Sequence, residues 1–259
     1  MSTETHREKV RAAFEGADQY DEFGIVQRNV ADDLAAALVR LSLPTEPKIL
    51  EVGCGTGFLT EAMLRAGMPG DFLITDVAPA MIERTRNKIG DGSDIRYAVL
   101  DAEYGAPEEG PFDLICANLA LQWFEDPHAA LGRMMKWLAP DGHLVATILT
   151  KGTFAEWREA CEAEGVAPGT LDFPDPSDLL GWYPDAMRTR PSGHHYRMIY
   201  KDGPAFINAL RGLGASTPVD GYEPMKPGTL RKVMARFEQD NALATFDVVT
   251  LHYGHPKAG

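Results

Sequence analysis

Apolar positions along this chain fall into two alternating rhythms. Between residues 48 and 149 short apolar runs of strand length recur as KILEV, DFLITDV, IRYAVLDAE, FDLICANLALQW and HLVATIL. Between them lie segments with apolar residues at helical spacing: GFLTEAMLRAG, closed by Gly67; PAMIERTRNKIG, with Pro79 in its first turn and Gly90 past its end; and DPHAALGRMMKWLAPDG, ended by Pro140 and Gly142. Repeated strand–helix units predict a mainly parallel, doubly wound sheet with helices on both faces.

The flanks read differently. Residues 4–24 have the pattern of a polar, partly amphipathic helix. VQRNVADDLAAALVRL places Val26, Val30, Leu34, Leu38 and Leu41 near a 3.6-residue period, with Pro44 and Pro47 beyond. After Lys151 the pattern predicts helices in TFAEWREACEAEG, DPSDLLGWYP, GPAFINALRGLG and KPGTLRKVMARFEQDN. GHHYRMIYKD and ATFDVVTLHYG read as strands. The expected organisation is an N-terminal helical lid over 1–43, an α/β core over 44–150, and helices inserted among the closing strands of the same sheet over 151–259. No internal repeat or low-complexity tract interrupts this.

Composition narrows the function. The net charge of −13 argues against a nucleic-acid binder, since phosphate affinity is built from Lys and Arg. The charge is uneven: residues 1–150 carry 13 basic and 24 acidic side chains, residues 151–259 carry 12 and 14, so an acidic partner is better received by the C-terminal part. Cys54, Cys116 and Cys161 form no CxxC pair, which predicts neither a disulfide framework nor a zinc site and fits a reducing cytoplasm. The stretch MSTETHREKVRAAF has no signal-peptide apolar region, and no run approaches a membrane span.

The chemistry centres on KILEVGCGTGFLT, where Gly53, Gly55 and Gly57 follow a strand that ends in an acid, Glu51. A phosphate-cradling P-loop needs a Lys after its glycines, and none is present. The dinucleotide fingerprint needs a third glycine where Phe58 stands, which disfavours a dinucleotide oxidoreductase. The spacing E-x-G-x-G-x-G resembles motif I of the Rossmann-like class I S-adenosylmethionine (AdoMet) methyltransferases. AdoMet has no phosphate, so the loop need only lay bare backbone against the ligand, and an acid nearby can meet its ammonium. Asp76 ends the second strand, where a carboxylate can accept from both ribose hydroxyls. Asp101 ends the third strand in position to accept from the adenine amine, and Asn118 ends the fourth. Carried onto matching positions, the resemblance also implies cofactor contacts from Cys54, Val77, Met81 and Ala102, and from Gln27 in the lid. S-adenosylhomocysteine would be the product.

Three narrower segments point further. FEGADQYDEFGIVQRNVADDL, the Ala117–Trp123 segment ending in LQW, and INALRGLGAST (Ile207–Thr217) together resemble the malonyl-[acyl-carrier protein] O-methyltransferases of biotin synthesis over nearly the whole chain. Complex I assembly proteins carry similar segments, but Gln122 and the Ala-Ser-Thr continuation lie closer to the malonyl enzymes. The resemblance implies attack of a malonyl carboxylate on the sulfonium methyl, with a carrier protein or coenzyme A holding the thioester. That carboxylate is ionised at pH 7, so orientation and desolvation matter more than a base. Tyr20 and Trp123 are the candidates for the wall of the transfer site. Arg211 is the candidate for holding the malonyl carboxylate or thioester. Plainer readings stand beside them: a helix-packing Tyr, a core Trp, and a helix-end cation. His194 and His195 read as structural. Two basic stretches, Arg188 to Lys201 and Lys226 to Arg236, are the candidate docking faces for an acidic carrier. A methyltransferase with another small acceptor, or an assembly factor of the same fold, remains an alternative.

Overall fold

A computed structural model describes residues 6–15, 20–213 and 222–255. The N-terminal segment, expected to be a lid, comprises α1 (His6–Glu15), α2 (Tyr20–Phe23) and α3 (Ile25–Leu38). The βα core follows with β1 (Lys48–Val52), α4 (Phe58–Arg65), β2 (Asp71–Asp76), α5 (Pro79–Ile89), β3 (Ile95–Val99), β4 (Phe112–Asn118), α6 (Pro127–Met134) and β5 (Leu138–Leu149). Beyond it come α7 (Ala155–Ala163), α8 (Pro176–Leu179), β6 (Met187–Ile199), α9 (Gly203–Gly212), α10 (Pro227–Phe237) and β7 (Leu243–Tyr253).

All seven strands join one sheet in the order β3-β2-β1-β4-β5-β7-β6. The first five are parallel, and β7 runs antiparallel to both β5 and β6. This is the doubly wound arrangement the strand–helix rhythm predicts. Strand order reverses between β1 and β4, and the crevice at the carboxyl ends of these strands is where such sheets receive ligands. On one face α3 and α4 bury Leu34, Leu38, Leu59 and Met63 against Ile49, Ile74 and Leu114. Each such side chain contributes about 1.5–3 kcal/mol by leaving water. The other face holds Leu131 and Met134 of α6 against Leu50, Ile115 and Leu144. A third cluster joins α7, α9 and α10 to β7 through Trp157, Phe206, Phe237 and Phe246.

Two helix readings change. The helix expected to run to Pro140 and Gly142 stops at Met134, and after a single 3₁₀ turn the chain enters β5 at Leu138. Leu138 pairs with Phe112, and a Cβ on Gly142 would stand 2.8 Å from the Phe112 carbonyl oxygen. That glycine therefore permits close strand approach instead of ending a helix. The helix read in DPSDLLGWYP contracts to four residues, its Asp175 side chain accepting from Ser177 N–H. Of the N-terminal helix expected over residues 4–24, the described residues form α1 and α2, and residues 16–19 lie outside them. Its residues 4 and 5, and residues 214–217 of the glycine segment, lie outside the described residues.

Candidate active site

The carboxyl ends of β1, β2 and β4 open into a cavity. Its floor is the loop after β1. Gly57 caps α4 at φ +85°, a left-handed conformation that suits glycine, and a Cβ there would lie 2.9 Å from Thr85 Cγ2. Asp76 fixes the loop from the side: its Oδ2 accepts from Gly55 N–H at 2.9 Å and its Oδ1 from Ala78 N–H at 2.9 Å. Thr85 adds a hydroxyl bond to the Gly55 carbonyl at 2.8 Å. The backbone is thus set before any ligand arrives.

Acids dominate the walls. Glu51 is buried and accepts from Thr60 Oγ1 at 2.5 Å, yet burial and the neighbouring Asp76 charge push its carboxyl up to about 8. Asp76 is raised to about 6, first by burial, with its backbone donors pulling the other way. Asp101 lies two residues past β3, and its Oδ1 accepts from the amides of Glu103 and Tyr104 at 3.0 and 3.2 Å. Glu103 also lines the cavity and receives the amides of Glu125 and Asp126. No Lys or Arg lines the cavity among the described residues. Such a site repels phosphate and favours a cationic, hydroxyl-rich ligand, which fits AdoMet and not a dinucleotide.

The structure brings most of the expected contacts together. Gln27, Glu51, Gly53, Cys54, Gly55, Asp76, Val77, Asp101, Ala102 and Asn118 all line this cavity, with Tyr20 and Trp123 above them. Gly57 and Met81 do not: the first acts by turning the chain, and the second is buried beneath, packed with Ala78, Phe14 and Tyr20. Asn118 serves the lid as well, donating to the Gln27 carbonyl at 3.0 Å while its Oδ1 accepts from Thr147 Oγ1. Phe14 stands edge-on to Trp123 with ring centroids 5.0 Å apart, and Tyr20 lies 6.1 Å from Phe58. These aromatic faces suit a sulfonium.

A second cavity adjoins the first and shares Tyr20, Gln27, Leu119 and Trp123 with it. The rest of its lining is largely apolar: Leu149, Phe154, Leu171, Phe173, Leu210, Leu213 and Phe246, with Gln122 and Thr170 the polar exceptions. Leu119 and Phe154 hold left-handed backbone at φ 49° and 58°, strain of the kind that functional sites retain. Arg211 is exposed on the last turn of α9 and lines neither cavity, although Leu210 and Leu213 beside it do. His195 meets Asp247 at 3.1 Å and stands outside both cavities, as does His194.

Sequence reasoning missed Phe14, Leu119, Glu103, Gln122 and Thr170 as lining residues. The motif segments named their neighbours: Glu103 follows the third-strand acid by two, and Gln122 sits inside LQW. Thr170 carries no sequence signal, because only the folding of the 166–175 loop over β7 brings it to the cavity.

Comparison with known proteins agrees with this geometry. A family model described as a methyltransferase domain matches residues 50–144. The malonyl-[acyl-carrier protein] O-methyltransferase of Magnetococcus marinus is 35% identical over 87% of this chain and 84% of its own length. The chain belongs to the malonyl-[acyl-carrier protein] O-methyltransferase family. The biotin biosynthesis bifunctional protein BioCD of Bordetella avium is also 35% identical, over 93% of this chain, which spans only 51% of that longer protein. Among solved structures, phosphoethanolamine N-methyltransferase 2 of Haemonchus contortus, bound to phosphomonomethylethanolamine and S-adenosylhomocysteine, shares the fold with a TM-score of 0.54 at 12% identity, over 95% of this chain and 60% of that one. The chain is an AdoMet-dependent methyltransferase of the Rossmann-like class. Among the described residues no helix is long and apolar enough to cross a membrane.

Proposed function

We propose that this family member methylates the free carboxylate of a malonyl thioester on acyl-carrier protein, forming the methyl ester used in biotin synthesis, with malonyl-coenzyme A as the alternative carrier. The observation that carries this reading is the shared wall of the two cavities. One cavity is acidic and built around backbone; the other is mainly apolar and has no charged residue on its lining among those described.

Glu51, Asp76 and Asp101 would hold the ammonium, the ribose and the adenine of AdoMet, on the glycine floor. AdoMet bound there supplies an electrophilic methyl that an ionised carboxylate takes without a base. Tyr20 keeps its proton, because burial and the charges of Asp76 and Asp21 raise its pKa; its hydroxyl therefore donates to an anion and does not act as a base. Tyr20, Trp123 and Phe14 exclude water from the wall, which strips the acceptor carboxylate and sharpens it as a nucleophile. The lack of a cation there spares the carboxylate a neutralising ion pair. Arg211 would then act at the rim, on the approach to Leu210 and Leu213.

The test is incubation with AdoMet and, side by side, malonyl-carrier protein and malonyl-coenzyme A, followed by mass spectrometry. A gain of one methyl on the malonyl group, alkali-labile as an ester is, supports the reading. No gain on either thioester, while S-adenosylhomocysteine still binds, removes it.

A further inference from the structure

Thr170 stands out among the acceptor-cavity residues. It is only 5% exposed, and its Oγ1 is buried with no hydrogen-bond partner. A buried hydroxyl left unsatisfied is costly, so folded proteins keep few of them. The loop around it is nonetheless pinned on both sides. Trp157 Nε1 donates to the Pro168 carbonyl at 2.9 Å, and Arg158 Nη2 donates to the Leu171 carbonyl at 3.1 Å. Arg158 is itself held by the Thr153 carbonyl at 3.1 Å and lies over the Phe173 ring. Two side chains from α7 thus hold the loop that carries this threonine against a largely apolar chamber.

We infer that the Thr170 hydroxyl is a specificity determinant of the acceptor, donating its hydrogen bond to the thioester carbonyl of the bound acyl group. The inference rests on the malonyl thioester reading. Thr170 lines the second cavity alone, whereas the reacting carboxylate belongs at the wall formed by Tyr20, Gln27, Leu119 and Trp123. In a malonyl group the other oxygen function is the thioester carbonyl, one methylene away. A hydroxyl donor in the second cavity, away from the shared wall, can meet that carbonyl, and a carbonyl accepts without bringing charge into the chamber. An acyl group without this carbonyl would leave the hydroxyl unpaired and be rejected.

The experiment uses the whole chain with malonyl-pantetheine and with its 2-carboxyethyl thioether analogue, which keeps the carboxylate but lacks the carbonyl. For Thr170→Val the expected kcat/KM on malonyl-pantetheine falls about tenfold, the scale of one hydrogen bond, while Thr170→Ser stays within about threefold of wild type. Wild type should lose a similar factor on the carbonyl-free analogue, and Thr170→Val should lose almost nothing further. Affinity for S-adenosylhomocysteine should not change, and ligand-free Thr170→Val should melt no lower than wild type, since it sheds an unsatisfied hydroxyl. Wild-type rates on malonyl-pantetheine in Thr170→Val would overturn the inference. So would an equal further loss by that variant on the analogue, or a parallel loss of S-adenosylhomocysteine binding. A wild-type protein that forms no methyl ester at all is a different result, and it removes the underlying reading instead.

Discussion

Two buried carboxyls make the cofactor cavity sensitive to pH in opposite ways for binding and for stability. In its proposed role Asp76 would have to be ionised to accept from two ribose hydroxyls, and in the free protein burial raises its pKa to about 6. With Glu51 meeting the ammonium, S-adenosylhomocysteine affinity should fall as pH drops below about 8, where Glu51 takes up its proton, and more steeply below 6, by up to about tenfold per pH unit for each group. Calorimetric titrations from pH 8 to pH 5 read this directly, and a flat profile would remove the role given to Asp76. Glu51 governs stability. Its folded pKa, near 8, lies above the ordinary 4.5, so the folded state holds the proton more tightly. Its contribution is fully present below pH 4.5 and lost as pH rises towards 8, by at most about 1.4 kcal/mol for each pH unit crossed. Urea midpoints of the ligand-free protein should drop between pH 5 and pH 8, and Glu51→Gln should flatten that slope; parallel curves would contradict it. At Gly57, alanine meets both a left-handed backbone and Thr85, and should cost about 1–2 kcal/mol or more in the same measurement.

At the scale of elements, the lid is fastened to the acceptor side. A Cβ on Gly212, at the end of α9, would stand 2.2 Å from Phe23 Cδ2 of α2, so these helices meet closely only because that residue is glycine. Tyr20 opens α2 and lines both cavities, whereas Leu210 of α9 lines the second. Gly212→Ala should push α2 outward and lower methyl-transfer kcat/KM, on the order of tenfold. Adding Phe23→Ala should cost little more, because both changes act on one contact. Fully additive losses would separate the two helices functionally. The sequence made the βα core legible, since buried strands and amphipathic helices differ in period. It misread the start of β5, where Pro140 and Gly142 look like a helix end until Phe112 is seen beside them. The acids at strand ends were readable for the same reason as the strands. Gln122 and Thr170 were not, because a hydroxyl or amide facing a cavity has no periodicity of its own.

Over the whole molecule, four acids, Glu51, Asp76, Asp101 and Glu103, line the cavity proposed for the cationic cofactor, and the acidic carrier protein proposed as partner would dock elsewhere. Of the two basic stretches, the one on α10 is partly neutralised: Arg236 bonds Glu164, and Lys232 lies 4.0 Å from the same carboxylate. Arg231 is exposed, and its Nε donates to the Pro227 carbonyl. Reversing charge at Arg231 and Lys232 should weaken turnover of carrier-linked malonate several-fold, most at low salt, and spare the coenzyme A thioester. Equal loss on both substrates would remove α10 as the docking face. The broad fold and the first cavity follow from local sequence signals, but the junction of the two cavities is a tertiary product of α2, α3 and the segment after β4. That junction is tested most directly by a crystal structure of the protein with S-adenosylhomocysteine and a malonyl thioester together. The expected density places the cofactor sulfur and the malonyl carboxylate on opposite sides of the Tyr20–Trp123 wall, within in-line reach of one another. A malonyl group bound outside the second cavity, or a sulfur facing away from that wall, would contradict it.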